Sequence, residues 1–189
     1  MSDSEQVVRI CDSWATPGAL GLTGFSMTTL MLAFFDLGLF SDALALISMS
    51  IFVGGIAQFC AGLMAFKKGN TFETVAFCAF GSFWISFAYI LIAPFGSDPA
   101  SATSVGLYLL VWGLLAGSML FGVIKLKAKF LIAVFALLAL VFIVTAIFYF
   151  TGIAIIATVA GILALILGLV AFYTAMTIVL NECGYKLPC

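Results

Sequence analysis

Phe130-Leu131-Ile132-Ala133-Val134-Phe135-Ala136-Leu137-Leu138-Ala139-Leu140-Val141-Phe142-Ile143-Val144-Thr145-Ala146-Ile147-Phe148-Tyr149-Phe150 holds no charged residue, no glycine and no proline. A helix needs about 20 apolar residues to cross the hydrocarbon core of a bilayer. This stretch supplies them on every face, whereas a soluble amphipathic helix would show one apolar stripe and a barrel strand would alternate. Working outward, five more such runs lie at about 20–40, 43–66, 74–93, 105–124 and 153–180. The pattern predicts an all-α, polytopic membrane protein of six transmembrane helices. Five or seven spans also fit, because the break at Phe150-Thr151-Gly152 is short and uncharged.

Composition agrees. The 189 residues are 65% hydrophobic and 8% charged, with a mean hydropathy of +1.33, whereas soluble domains carry roughly 25% charged residues. Seven basic and eight acidic side chains are too few to wet a globule of this length. The net charge of −1 and a largest basic grouping of only Lys125, Lys127 and Lys129 speak against nucleic acid, which needs several phosphate-neutralising cations on one face. The chain has no histidine, so imidazole metal sites and histidine acid–base catalysis are unavailable, and neither a metal nor another cofactor is expected. Five cysteines at 11, 60, 78, 183 and 189 are odd in number and scattered, which is no disulfide framework. Cys60 and Cys78 lie in apolar runs, where thiols are usually inert. The sequence therefore reads as a non-enzyme.

The chain reads as a single transmembrane domain over 1–189, with a polar N-terminal segment at 1–15 and a C-terminal tail at 181–189. That N-terminal segment is acidic and lacks the basic start of a cleavable signal peptide. Loops rich in lysine and arginine stay cytoplasmic. Arg9, Lys67, Lys68, Lys125, Lys127, Lys129 and Lys186 all fall on one side of a six-span topology, while Asp36, Asp42 and Asp98 fall on the other. The expectation is a multi-pass protein of the plasma membrane with both termini in the cytoplasm.

Within a bilayer the informative residues are polar groups held at depth and small residues that let helices touch. No charged residue sits near the middle of any run, so a pathway would be lined by neutral groups. Gly18, Gly21 and Gly24 form a side-chain-free stripe just after Pro17. Close helix packing is its ordinary meaning; the alternative is that helix-start N–H groups meet an anion there. Gln58, among Gly54, Gly55, Ala57, Ala61 and Gly62, must find an interhelical hydrogen bond or face a water-filled lumen. Gly113 and Gly117 read as a packing pair. Trp84, Trp112, Tyr108 and Tyr149 are read as interfacial anchors or packing residues.

These residues resemble a known family, the acetate uptake transporters, or succinate–acetate permeases. Its signature, Asn-Pro-Ala-Pro-Leu-Gly-Leu and then Gly-Phe, reads here Thr16-Pro17-Gly18-Ala19-Leu20-Gly21-Leu22-Thr23-Gly24-Phe25. Gly54-Gly55-Ile56-Ala57-Gln58, Lys67-Lys68-Gly69-Asn70-Thr71-Phe72, Phe80-Gly81-Ser82-Phe83-Trp84, Tyr108-Leu109, Trp112-Gly113 and Asn181-Glu182 follow in the same order. The resemblance spans Thr16 to Pro188. It implies a six-helix protomer with its own pore, assembled as a homo-hexamer, carrying acetate and related small carboxylates, succinate among them. It also implies a constriction of Phe25, Phe80 and Leu137, with Phe80 standing where the family more often has tyrosine.

Pro17, Leu20, Gly21, Leu22, Thr28, Gln58 and Asn181 are the accompanying candidates for lining the pore or binding the permeant. The expected mechanism has the helix start at Pro17 to Leu22 and the Gln58 amide holding the carboxyl on either side of the neck. Two other readings remain: a pore for a neutral solute such as ammonia or urea, and a membrane organiser with no permeant.

Overall fold

A computed structural model describes residues 15–92 and 98–188. Arg9, Cys11, Pro94 and Cys189, and most of the polar N-terminal segment, lie outside the described residues. α1 (Pro17–Asp36) starts on a proline, whose missing N–H is one of the donors a helix start leaves unpaired anyway. The second span, Leu44–Lys67, is built of α2 (Leu44–Met49), a π-helical segment (Ser50–Ala57) and α3 (Gln58–Lys67). α4 (Thr71–Ile92) follows a turn in which the Glu73 N–H donates to Asn70 Oδ1 at 3.1 Å. α5 (Ala102–Leu126) is capped by Ser101 Oγ, which accepts from the Ser104 N–H at 3.2 Å. α6 (Lys129–Thr151) and α7 (Ala154–Glu182) complete the chain.

Among the described residues six helical spans are long and apolar enough to cross a membrane, and no strand occurs. The weakest boundary in the sequence is real. Gly152 takes a left-handed conformation, φ 66°, and closes α6 with its N–H on the Phe148 carbonyl at 2.8 Å. The last helix runs through Asn181 and Glu182, so the tail that follows it starts at Cys183.

Alternate spans run in opposite directions, and this places Lys67, Lys68, Lys125, Lys127, Lys129 and Lys186 at one end, the basic end, with Asp36, Asp42 and Asp98 at the other. α1 packs chiefly on α7, α5 on α6, α6 on α7, and α3 on α4. The outside is apolar: Phe66, Leu114 and Phe121 are each more than 70% exposed, an arrangement suited to lipid rather than water. The inside is dominated by rings. Phe80 lies 6.3 Å from Phe142 and 6.1 Å from Trp112, while Phe83 touches Trp84, Phe87, Tyr108 and Phe142 at 5.0–5.9 Å. Tyr108 is a packing residue in that cluster, its hydroxyl 2.7 Å from Ser86 Oγ.

Candidate functional site

Three helices approach closely because glycines stand where they cross. A Cβ at Gly24 of α1 would come within 2.6 Å of the Val53 carbonyl, and one at Gly81 of α4 within 2.8 Å of the Phe59 nitrogen. In a bilayer such close approach replaces the hydrophobic force that drives packing in water. The π-helical turn, whose wider winding is rare and common at functional sites, lies between these contacts. It hands the chain to Gln58, whose Cβ would lie 3.6 Å from a Cβ on Gly24.

The described residues enclose, among others, the following cavities in the bundle. The larger, about 230 Å³, opens towards the basic end and is bounded by Gly18, Leu22, Gln58, Glu73, Phe77, Phe80, Phe135 and Thr174, among others. The smaller, about 80 Å³, lies towards the acidic end and is bounded by Thr29, Asp36, Trp84, Phe142, Thr145 and Tyr149, among others. Both far exceed the roughly 10–15 Å³ that one water requires. Among the described residues, only Phe25 and Leu138 line both. They are each 5% exposed and stand between the two cavities, with the Phe80 ring 6.5 Å from that of Phe25.

The residues singled out in the sequence fall into two groups. Phe25, Phe80, Leu22 and Gln58 all line the larger chamber. Gln58 is 1% exposed, and its Oε1 has no hydrogen-bond partner. A buried amide left in that condition costs about 1–3 kcal/mol unless something polar enters beside it. Gly21 backs onto the wall: a Cβ there would strike the Phe77 ring at 2.5 Å.

The second group is elsewhere. Leu137 is half-buried and lines neither chamber; one residue along a helix turns the side chain by about 100°, and Leu138 is the one that lines both cavities. Leu20 is 40% exposed on the outer face. Pro17 is buried at the start of α1 but borders neither cavity. Thr28 donates to the Met49 carbonyl at 3.3 Å, tying α1 to the second span. Asn181 exchanges hydrogen bonds with the Leu187 N–H at 2.7 Å and the Leu187 carbonyl at 3.1 Å, and so pins the tail back onto α7.

Glu73 and Asp36 line the chambers although no sequence argument had selected them. The start of α1 is faced by the protein's own carboxylate, since a Cβ on Gly18 would lie 3.3 Å from Glu73 Oε1. The positive end of that helix thus already has a carboxyl group of the protein beside it. Trp84, lining the smaller chamber, is 2% exposed, and its Nε1 has no partner. The threonines behave differently. Thr29, Thr145 and Thr174 each donate to a carbonyl of their own helix, at 2.7, 2.8 and 2.7 Å, so their hydroxyls are already satisfied.

Comparison with known proteins places this architecture. A model of the GPR1/FUN34/yaaH family matches residues 7–185. The chain is 44% identical over 170 residues to the succinate-acetate/proton symporter SatP of Escherichia coli (strain K12), covering 89% of this chain and 90% of that one. It is 34% identical over 171 residues to ammonia transport outward protein 2 of Saccharomyces cerevisiae, covering 86% of this chain and 60% of the yeast protein. A solved structure of the bacterial acetate channel SatP superposes with a TM-score of 0.89 at 44% identity, covering 93% of this chain and 98% of that one.

Proposed function

This chain belongs to the GPR1/FUN34/yaaH family, and from that premise we propose that it is a membrane channel or transporter for acetate and related small carboxylic acids, and not an enzyme. The observation that carries the reading is the pair of chambers meeting at the Phe25 and Leu138 side chains. Such a neck imposes a short dry passage between two roomier spaces. Stripping a charged group of water is expensive in proportion to the dry length, so a small acid with one carboxyl suits it and a long or multiply charged solute does not.

Gln58 offers the permeant a polar contact on the basic side of the neck. The similarity to an acetate channel and a succinate-acetate symporter supports the same class of permeant here. The lysines gathered at one end, towards which the larger chamber lies, support an orientation in the plasma membrane with both termini cytoplasmic. A homo-hexamer of six such pores is the assembly the family resemblance implies; its native mass in detergent would be six times the 20.0 kDa chain.

Labelled acetate uptake into vesicles containing the purified protein tests the reading. Propionate and succinate are expected to compete, and ammonium to leave uptake unchanged. Competition by ammonium but by neither acid would move the assignment to a neutral-solute pore, the reading that the yeast ammonia-export relative brings forward. Vesicles tight to all of them would leave a membrane organiser.

A further inference from the structure

Lys125, Lys127 and Lys129 stand on the turn that joins α5 to α6, and all three are exposed. Lys125 lies in the last turn of α5, Lys127 takes the C-cap position and Lys129 opens α6. None of the three ammonium groups pairs with another described residue. The basic turn between α3 and α4 differs: there Lys68 acts on the Glu73 carboxyl and donates to the Ala15 carbonyl at 3.4 Å. The described acids are committed elsewhere. Asp36, Asp42 and Asp98 lie at the opposite end, Glu73 lines the larger chamber, and Glu182 accepts from the Thr16 hydroxyl at 2.9 Å.

The backbone adds an independent sign. Lys127 has φ 56°, in the left-handed region, and every other described residue with a positive φ is a glycine: Gly38, Gly69, Gly152 and Gly184. A Cβ in that conformation crowds the carbonyl that follows, so a helix end of this shape ordinarily takes glycine or asparagine. The chain holds a third cation there against both strain and repulsion from its two neighbours. Local conflict of this kind gathers at functional sites, and a bound anion removes the repulsion.

The surroundings say which anion fits. Phe121 lies one turn before Lys125 on the same face of α5. With Ile124 and Leu126 it is exposed, while Val123 is fully buried. The outer face of α5 therefore stays apolar up to the turn, where long basic side chains keep their stems in the apolar layer and their charge among the headgroups. A soluble anion matches the lysines alone; a lipid matches both parts. We infer that the α5–α6 turn docks an anionic phospholipid, its phosphate among Lys125, Lys127 and Lys129 and its acyl chains along Phe121, Ile124 and Leu126. The docking is independent of which solute crosses the bundle.

Native mass spectrometry of the full chain in a neutral detergent, titrated with phosphatidylglycerol or phosphatidylcholine, tests this. One lysine beside an anionic lipid is worth about fivefold in affinity. Phosphatidylglycerol is expected to bind at least tenfold more tightly than phosphatidylcholine, and an excess of soluble glycerol phosphate to leave it bound. Lys125→Gln with Lys129→Gln should weaken phosphatidylglycerol at least tenfold and leave phosphatidylcholine unchanged. Lys127→Gly should weaken phosphatidylglycerol about fivefold and yet raise the melting temperature in lipid-free detergent, because glycine suits the left-handed backbone. Equal affinity of the unmodified protein for the two lipids overturns the inference even where the double variant does not fold. So does release of the lipid by glycerol phosphate, which makes the turn a site for a soluble anion. Phosphatidylglycerol binding that survives these substitutions places the lipid elsewhere and overturns it too.

Discussion

The two chambers meet at the same pair of side chains and yet are built by different means. The smaller is walled by rings and threonines on long, regular helices, and its hydroxyls at Thr29 and Thr145 turn back onto their own backbones. The larger adjoins the crossing where glycines bring α1 and the second span together, beside a π-helical turn that hands on to Gln58. What matters in a bilayer pore is less how many polar residues line it than which of them the helix has failed to satisfy. A threonine reaches the carbonyl one turn back; the longer amide of Gln58 is left with an acceptor to offer.

Breaking the neck should erase the distinction between the chambers, and this is the largest effect expected. Leu138→Ala should raise butyrate flux relative to acetate by about tenfold or more, as expected when an apolar pocket gains room for methylenes. Leu137→Ala, on the side of α6 that lines neither chamber, should leave the ratio within twofold. Next comes the contrast in polar groups. Gln58→Leu should lower acetate flux about five- to tenfold, the worth of one hydrogen bond made only with the permeant. Thr145→Val should change it less than twofold, because its hydroxyl already has a partner at 2.8 Å.

A third prediction concerns the scaffold of the larger chamber. Gly81→Ala would place a methyl against backbone atoms of Gly55 and Phe59 that cannot move aside, and should cost about 1–3 kcal/mol, read as a lower melting temperature in detergent. The smallest effect is expected at Leu20→Ala, on the outer face, where flux and melting temperature should both stay close to those of the unmodified protein.

Much of the fold was legible because lipid imposes one simple demand, a continuous apolar length per helix. The demand is met at all six runs, and even the uncharged break before Gly152 follows from a residue suited to left-handed backbone. The site was legible only in part. Gln58 stood out as a polar group among small residues, and the structure leaves its acceptor without a partner. Leu138, not the neighbouring Leu137, lines both cavities, and a run apolar on every face has no stripe to show which side turns inward.

Asp36 and Glu73 were missed for another reason. A hydropathy reading uses charges to mark where spans stop, and both residues sit within the first or last turn of a helix. Position along the chain made them boundaries, but three-dimensional packing makes them chamber walls. The π-helical turn left no local signal beyond Gly54-Gly55, where a Cβ would meet Thr28, Trp84 and Ile85 of neighbouring helices.

The most direct test of the two-chamber account is the ratio of butyrate to acetate flux in vesicles carrying the unmodified protein or Leu138→Ala, since a ratio is insensitive to how much protein inserts. The account predicts a ratio about tenfold or more higher in the variant. An unchanged ratio would mean that the permeant does not pass between Phe25 and Leu138, and the neck would lose its role.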